Sequence, residues 1–139
     1  MIADSQQVGL NQGPGMEKKI SVCLTFDFDA MSLWIGTFRT KSMSAISRGE
    51  FGRVGSERLL RMLHEWDIRS TWFVPGHTAD AFPATVAKIA EEGHEIGHHG
   101  YFHERAKTPA DKALDFDRAI AALKRPTSSS YRCKDRDQS

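Results

Sequence analysis

Residues 20–29, ISVCLTFDFD, alternate strictly between apolar and polar side chains. Ile20, Val22, Leu24, Phe26 and Phe28 share one face, and Ser21, Cys23, Thr25, Asp27 and Asp29 share the other. A period of two predicts a strand. The rest of the chain constrains the fold further, because helical and strand patterns take turns along it. Leu59, Met62, Leu63 and Trp66 recur at helical spacing behind Ser56, which is placed to cap that helix. Arg69–Val74 reads as a second strand, stopped by Pro75 and Gly76. Pro83 opens a second helix with Phe82, Val86, Ile89 and Ala90 on one face, and Gly93 closes it. Residues 94–99 form a short third strand. Thr108, Pro109 and Asp111 then stand as N-cap, N1 and N3 of a third helix, with an apolar stripe of Ala113, Phe116, Ile120 and Leu123 and a stop at Pro126. Ser129–Cys133 begins a fourth strand. Strands alternating with helices imply parallel βαβ units with right-handed crossovers.

The 139 residues suit one domain, yet a closed (β/α) barrel takes about 250. The expected class is α/β with parallel βαβ units, in a chain short for a closed barrel. The formal charge of +1 gives no electrostatic footprint for nucleic acid. No apolar run approaches the roughly 18 residues of a membrane span. Residues 1–18 are polar, with no basic start and no apolar run, and read as a disordered leader rather than a secretory signal. Cys23 and Cys133 stand too far apart in sequence for a disulfide framework or a zinc-finger pattern, so a cytoplasmic setting is expected. Residues 133–139 form a polar tail.

Two clusters carry chemistry. Asp27 and Asp29 lie on one face at the C-terminal end of the first strand, the end where barrels of this type build their sites. Two ionised carboxylates so close call for a cation or a shared proton. Taken alone, they read first as two solvated acids at a strand-to-loop edge. His94, His98, His99 and His103 fall within ten residues. The i, i+4 pair His99 and His103 can aim two imidazoles at one ion, although lone histidines are mostly structural. His98 points away, as a residue that either supports the ligands from behind or packs, and His94 precedes the strand at the surface. Together the clusters are more telling, since both sit at the same rim of a parallel sheet. One Asp and two His give three protein ligands with an open position for water, and leave the other carboxylate as a base. The long segment 30–52 carries Trp34 and Phe38. Trp34 is the better candidate for substrate contact, and Trp72 reads as core.

Thr25-Phe26-Asp27-Phe28-Asp29 and His99-Gly-Tyr-Phe-His103 resemble the first two motifs of the polysaccharide deacetylase (NodB-homology) family. The segments SRGEFGRVG, STWFVPGHTA and GHEIGHHGYFHE resemble the branch of peptidoglycan deacetylase-like enzymes and cyclic imide hydrolases. The resemblance spans roughly residues 19–132. It implies a distorted (β/α) barrel, of which this chain would be the incomplete N-terminal part with about three to four βα units, that hydrolyses non-peptide C–N bonds with a divalent metal, usually zinc. Asp27 is then the general base, Asp29, His99 and His103 the metal ligands, and Arg132 the residue that orients the base. The implied substrate is an N-acetylated sugar polymer or a small cyclic imide. Tyr131-Arg132 fits the start of the third motif, but Cys133-Lys134-Asp135 departs from its continuation, and the later motifs with their acid histidine are not met. His77 is an unsupported substitute for that acid. The alternative reading is a truncated, inactive fragment that still binds metal and self-associates through exposed barrel edges.

Overall fold

A computed structural model describes residues 20–104 and 108–127. Three strands, β1 (Thr25–Asp27), β2 (Thr71–Val74) and β3 (Glu95–His98), form one parallel sheet in the order β1-β2-β3. Helices α1 (Met43–Ile46), α2 (Phe51–Glu65), α3 (Gly76–Ala81), α4 (Pro83–Glu91) and α5 (Pro109–Thr127) connect and cover it. This is the α/β architecture that the alternation implies. The expected leader, the fourth strand and the tail lie outside the described residues.

The core forms where α2, α4 and α5 meet the sheet. Leu60 and Leu63 from α2, Val86 and Ile89 from α4, and Ala122 and Leu123 from α5 are buried with Trp72, Val74 and Ile96. Trp72 is 1% exposed, and its indole N–H donates to Ser70 Oγ at 3.0 Å, so its one polar atom is satisfied. Gly93 follows α4 at φ +80°, the left-handed conformation that glycine adopts without penalty. Thr108 Oγ1 accepts from the Asp111 N–H at 3.1 Å, as the expected cap requires.

Several expectations need correction. The first strand is three residues long, not ten, and Ile20 and Val22 are 87% and 78% exposed. Its pairing begins where β2 begins: the Thr71 N–H donates to the Leu24 carbonyl, and β2 offers nothing earlier because the chain is still leaving α2 through Asp67, at φ +49°. Helix α2 starts at Phe51, straight from a 3₁₀ turn over Ser47–Glu50, so Ser56 is not its cap. Ser56 is buried inside the helix, its hydroxyl returned to the Gly52 carbonyl at 2.9 Å. The buried face of α2 is Ser56, Leu60 and Leu63, which leaves Met62 and Trp66 exposed. Helix α3 has no counterpart in the sequence pattern.

On α5 the buried face is Ala119, Ala122, Leu123 and Thr127, while Phe116 stands exposed. The reason is close approach, since a Cβ on Gly76 of α3 would lie 3.0 Å from the Ala119 Cα. Only a small residue fits that crossing. Pro126 lies inside the last turn of α5 rather than ending it. His94 is not at the surface. It is 8% exposed, its Nδ1 accepts from the Ser70 N–H at 3.3 Å, and its ring lies 6.2 Å from that of Trp72.

Candidate metal centre

Parallel register brings the strand C-termini to one rim. Asp27 pairs with Phe73, and Val74 pairs with His98. Just beyond, the Phe28 N–H donates to the Phe73 carbonyl and the His99 N–H to the Val74 carbonyl. Asp29 and His99 therefore leave the sheet on the same side, from strands flanking β2. His103 joins them from a loop that bends with Gly100 at φ +69° and itself turns at φ +61°.

That loop is pinned from two directions. Its Gly100 and Tyr101 carbonyls accept from the Gly76 and His77 N–H groups at 2.9 Å each. The Tyr101 N–H donates to Asp115 Oδ1 at 3.0 Å, and its hydroxyl donates to Asp80 Oδ2 at 2.9 Å. The Arg118 guanidinium lies 3.5 Å from the Tyr101 ring centroid. The backbone of Asp29 is held as firmly. Thr78 Oγ1 donates to the Asp29 carbonyl at 2.6 Å. That uses the single Thr78 proton, so the Ser32 hydroxyl must donate to Thr78 Oγ1 at 2.8 Å, and His77 Nδ1–H to Ser32 Oγ at 3.1 Å. His77 is thus tied into the scaffold beneath the rim, with its ring 4.9 Å from that of Phe102, and burial holds its pKa below the ordinary imidazole value.

The result is a cluster of three donors. Asp29, His99 and His103 each offer one atom, and these atoms all lie within 4.8 Å of one another. His99 Nε2 is 3.8 Å from Asp29 Oδ1, and His103 Nε2 is 3.8 Å from Asp29 Oδ2. Those separations are too long for hydrogen bonds. They come close to the roughly 3.4 Å between neighbouring ligands that each sit about 2.1 Å from a tetrahedral ion. Asp29 Oδ1 is buried with no hydrogen-bond partner among the described residues. Burial raises the Asp29 pKa, His103 and His99 pull it back, and Asp27 raises it again, for a net upward shift. A carboxylate in that position is short of positive charge, and a divalent cation would supply it. The donor set therefore fits a metal.

Asp27 stays exposed on the same strand end. A cleft of about 420 Å³ is lined by Asp27, Asp29, Trp34 and Arg48, with the Arg48 guanidinium 5.9 Å from the Trp34 ring. A second, larger cleft of about 860 Å³ is lined by Thr37, Arg39, His98, His103 and Lys112. The structure thus brings Asp27, Asp29, His99 and His103 to one rim. Arg132 lies outside the described residues.

The segment 30–52 supplies what sequence reasoning missed. Residues Leu33–Thr37 form a single π-helical turn, closed by the Phe38 N–H donating to the Leu33 carbonyl at 3.1 Å. Such turns are rare and gather at functional sites. Gly36 is buried in it, and a Cβ there would lie 1.6 Å from the Phe102 carbonyl oxygen. Glycine alone lets this turn touch the histidine loop, which brings Thr37 Oγ1 to 2.7 Å from His103 Nδ1. One Gly-Thr pair in a long segment is no signal that sequence could have supplied.

Known proteins resemble this chain in sequence and in fold. Residues 15–133 match the sequence model of the family described as polysaccharide deacetylase. A peptidoglycan deacetylase of Helicobacter pylori is 42% identical over 91 residues, covering 64% of this chain and 31% of that protein. A peptidoglycan deacetylase-like protein of Gibberella zeae is 41% identical over 96 residues, covering 66% of this chain and 28% of its own length. Among solved structures, a Mycobacterium smegmatis protein described as a polysaccharide deacetylase superposes with a TM-score of 0.71 at 37% identity, over 78% of this chain and 40% of that one. A peptidoglycan N-acetylglucosamine deacetylase, solved in complex with 4-naphthalen-1-yl-N-oxidanyl-benzamide, gives a TM-score of 0.50 at 30% identity, over 54% of this chain and 36% of that one. The chain spans about a third of the length of the curated relatives it matches.

Proposed function

The chain belongs to the polysaccharide deacetylase family, and from that premise we propose that it carries the metal-holding part of a hydrolase that removes N-acetyl groups from the amino sugars of a polymer such as peptidoglycan. The observation that carries the reading is the convergence of Asp29, His99 and His103 donor atoms within 4.8 Å, beside the exposed carboxylate of Asp27. The names of the relatives support the same substrate class.

Asp29, His99 and His103 would hold the cation, with zinc the first choice for two imidazoles and one carboxylate. When bound, a divalent cation acidifies water and polarises an amide carbonyl. The chain's own residues supply the rest. Asp27 is exposed and next to the donors, so its carboxylate can take the proton from an attacking water and return it to the amine nitrogen as the C–N bond breaks. The Ser32–Thr78 chain fixes the Asp29 backbone, and the Asp115 and Asp80 bonds fix the histidine loop, so the donors are set before substrate arrives. Trp34, in the narrower cleft beside Asp27, offers an aromatic face to a sugar ring.

The test is zinc content together with acetate release from an N-acetylated glucosamine oligomer, for the wild-type chain and D27N. The expected result is turnover by the wild type, and loss of turnover in D27N by about 100-fold or more with zinc affinity kept. Zinc binding without turnover in the wild type would overturn the catalytic part of the reading. Faster opening of a small cyclic imide than release of acetate would overturn the polymer assignment.

A further inference from the structure

We propose that Thr37 is a positioning residue that locks His103 in the Nδ1–H tautomer and so leaves its Nε2 a free base facing Asp29 and His99. The argument is proton counting. Thr37 Oγ1 lies 2.9 Å from the His103 carbonyl oxygen, which can only accept, so the one hydroxyl proton of Thr37 goes there. The same oxygen lies 2.7 Å from His103 Nδ1. With its proton spent, Thr37 Oγ1 can only accept from that nitrogen, and Nδ1 must carry the hydrogen. A neutral imidazole has one ring proton, so Nε2 then presents its lone pair.

That lone pair stands where it is needed, 3.8 Å from Asp29 Oδ2. One threonine therefore grips both the ring and the carbonyl of His103, a residue at φ +61° whose backbone needs such a hold. His99 has no equivalent partner among the described hydrogen bonds of its ring. The arrangement depends on the π-helical turn, because the clearance at Gly36 is what lets Thr37 reach the loop. Outer partners that fix a ligand's tautomer commonly change metal affinity about 10–100-fold when removed.

The role of Thr37 toward a metal rests on the function proposed above, but the tautomer does not, so the two are tested separately. Imidazole ¹⁵N spectra of the metal-free chain are recorded well above the ordinary histidine pKa of about 6.5, for wild type, T37S and T37V. The expected result is Nδ1–H at His103 in wild type and T37S, and a mixture of tautomers in T37V. Nε2–H at His103 in the wild type would overturn the proposal without any variant having to fold. Zinc titration of the same three proteins is the second arm. T37V is expected to bind about 10–100-fold more weakly and T37S near the wild-type level. Equal zinc affinity in T37V and wild type would overturn the claim that Thr37 acts on the metal. A wild type with the Nδ1–H tautomer that binds no zinc would uphold the lock and overturn the metal reading.

Discussion

Gly36→Ala sets two physical effects against each other with opposite signs. In an exposed helix, replacing glycine with alanine stabilises by about 1 kcal/mol, because alanine loses less backbone entropy. At Gly36 the new Cβ would lie 1.6 Å from the Phe102 carbonyl oxygen, 2.7 Å from its carbon and 3.2 Å from Glu104 Cγ. The first two neighbours are backbone and cannot rotate away. To clear 3.0 Å the π-helical turn must withdraw from the histidine loop by about 1.4 Å. The Thr37 bonds to His103, at 2.7 and 2.9 Å, would then exceed hydrogen-bond range. Overpacking costs about 1–3 kcal/mol, and the two bonds contribute about 0.5–1.5 kcal/mol each. Set against the gain in propensity, the net is a loss of about 1–5 kcal/mol. With a urea m value of about 2 kcal/mol/M, a loss near 3 kcal/mol lowers the unfolding midpoint by about 1.5 M. Circular dichroism during urea unfolding reads that shift. A midpoint that rises in G36A would mean the turn does not press on Phe102, and Thr37 would have to reach His103 by some other route.

Two further outcomes test other parts of the molecule. His103→Ala should abolish stoichiometric zinc binding, measured by metal content after dialysis, and an unchanged content would remove His103 from the ligand set. Burial lowers the pKa of His94 and Arg69 adds to that, while Glu92 opposes it, so the unfolded chain binds this proton more readily than the folded one. The stability associated with a neutral His94 is then full above the unfolded value of about 6.5 and declines as pH falls through it. H94N, which keeps an acceptor for the Ser70 N–H, should show a flatter urea midpoint between about pH 7 and about pH 5, and parallel curves for the two proteins would count against a buried, neutral His94.

The donors were legible because each motif is local. Asp27 and Asp29 share a strand face, His99 and His103 sit four residues apart, and the alternation of elements places both motifs at one rim. Helix α4 was legible too, since Val86 and Ile89 pack where its pattern says. The misread features depend on distant partners. The apolar run before Thr25 has strand periodicity, but pairing needs a neighbour, and β2 is short. Phe116 dominates the apolar pattern of α5, yet the tight crossing at Gly76 selects the alanine face. Thr37 owes its role to Phe102 and His103, far along the chain, and no local pattern encodes that meeting.

The sheet order has one more consequence. Asp29 leaves β1 and His99 leaves β3, while β2 lies between them and contributes no donor. An ion held by both would act as a staple across a strand that it never touches. Removing the ion would free the two outer strands to part, and the backbone amides of β2 would lose their protection from hydrogen exchange together with those of its neighbours. The middle strand would thus report on an ion held in this way, and its removal by a chelator would be readable in Trp72 and Phe73 even though neither belongs to the donor set.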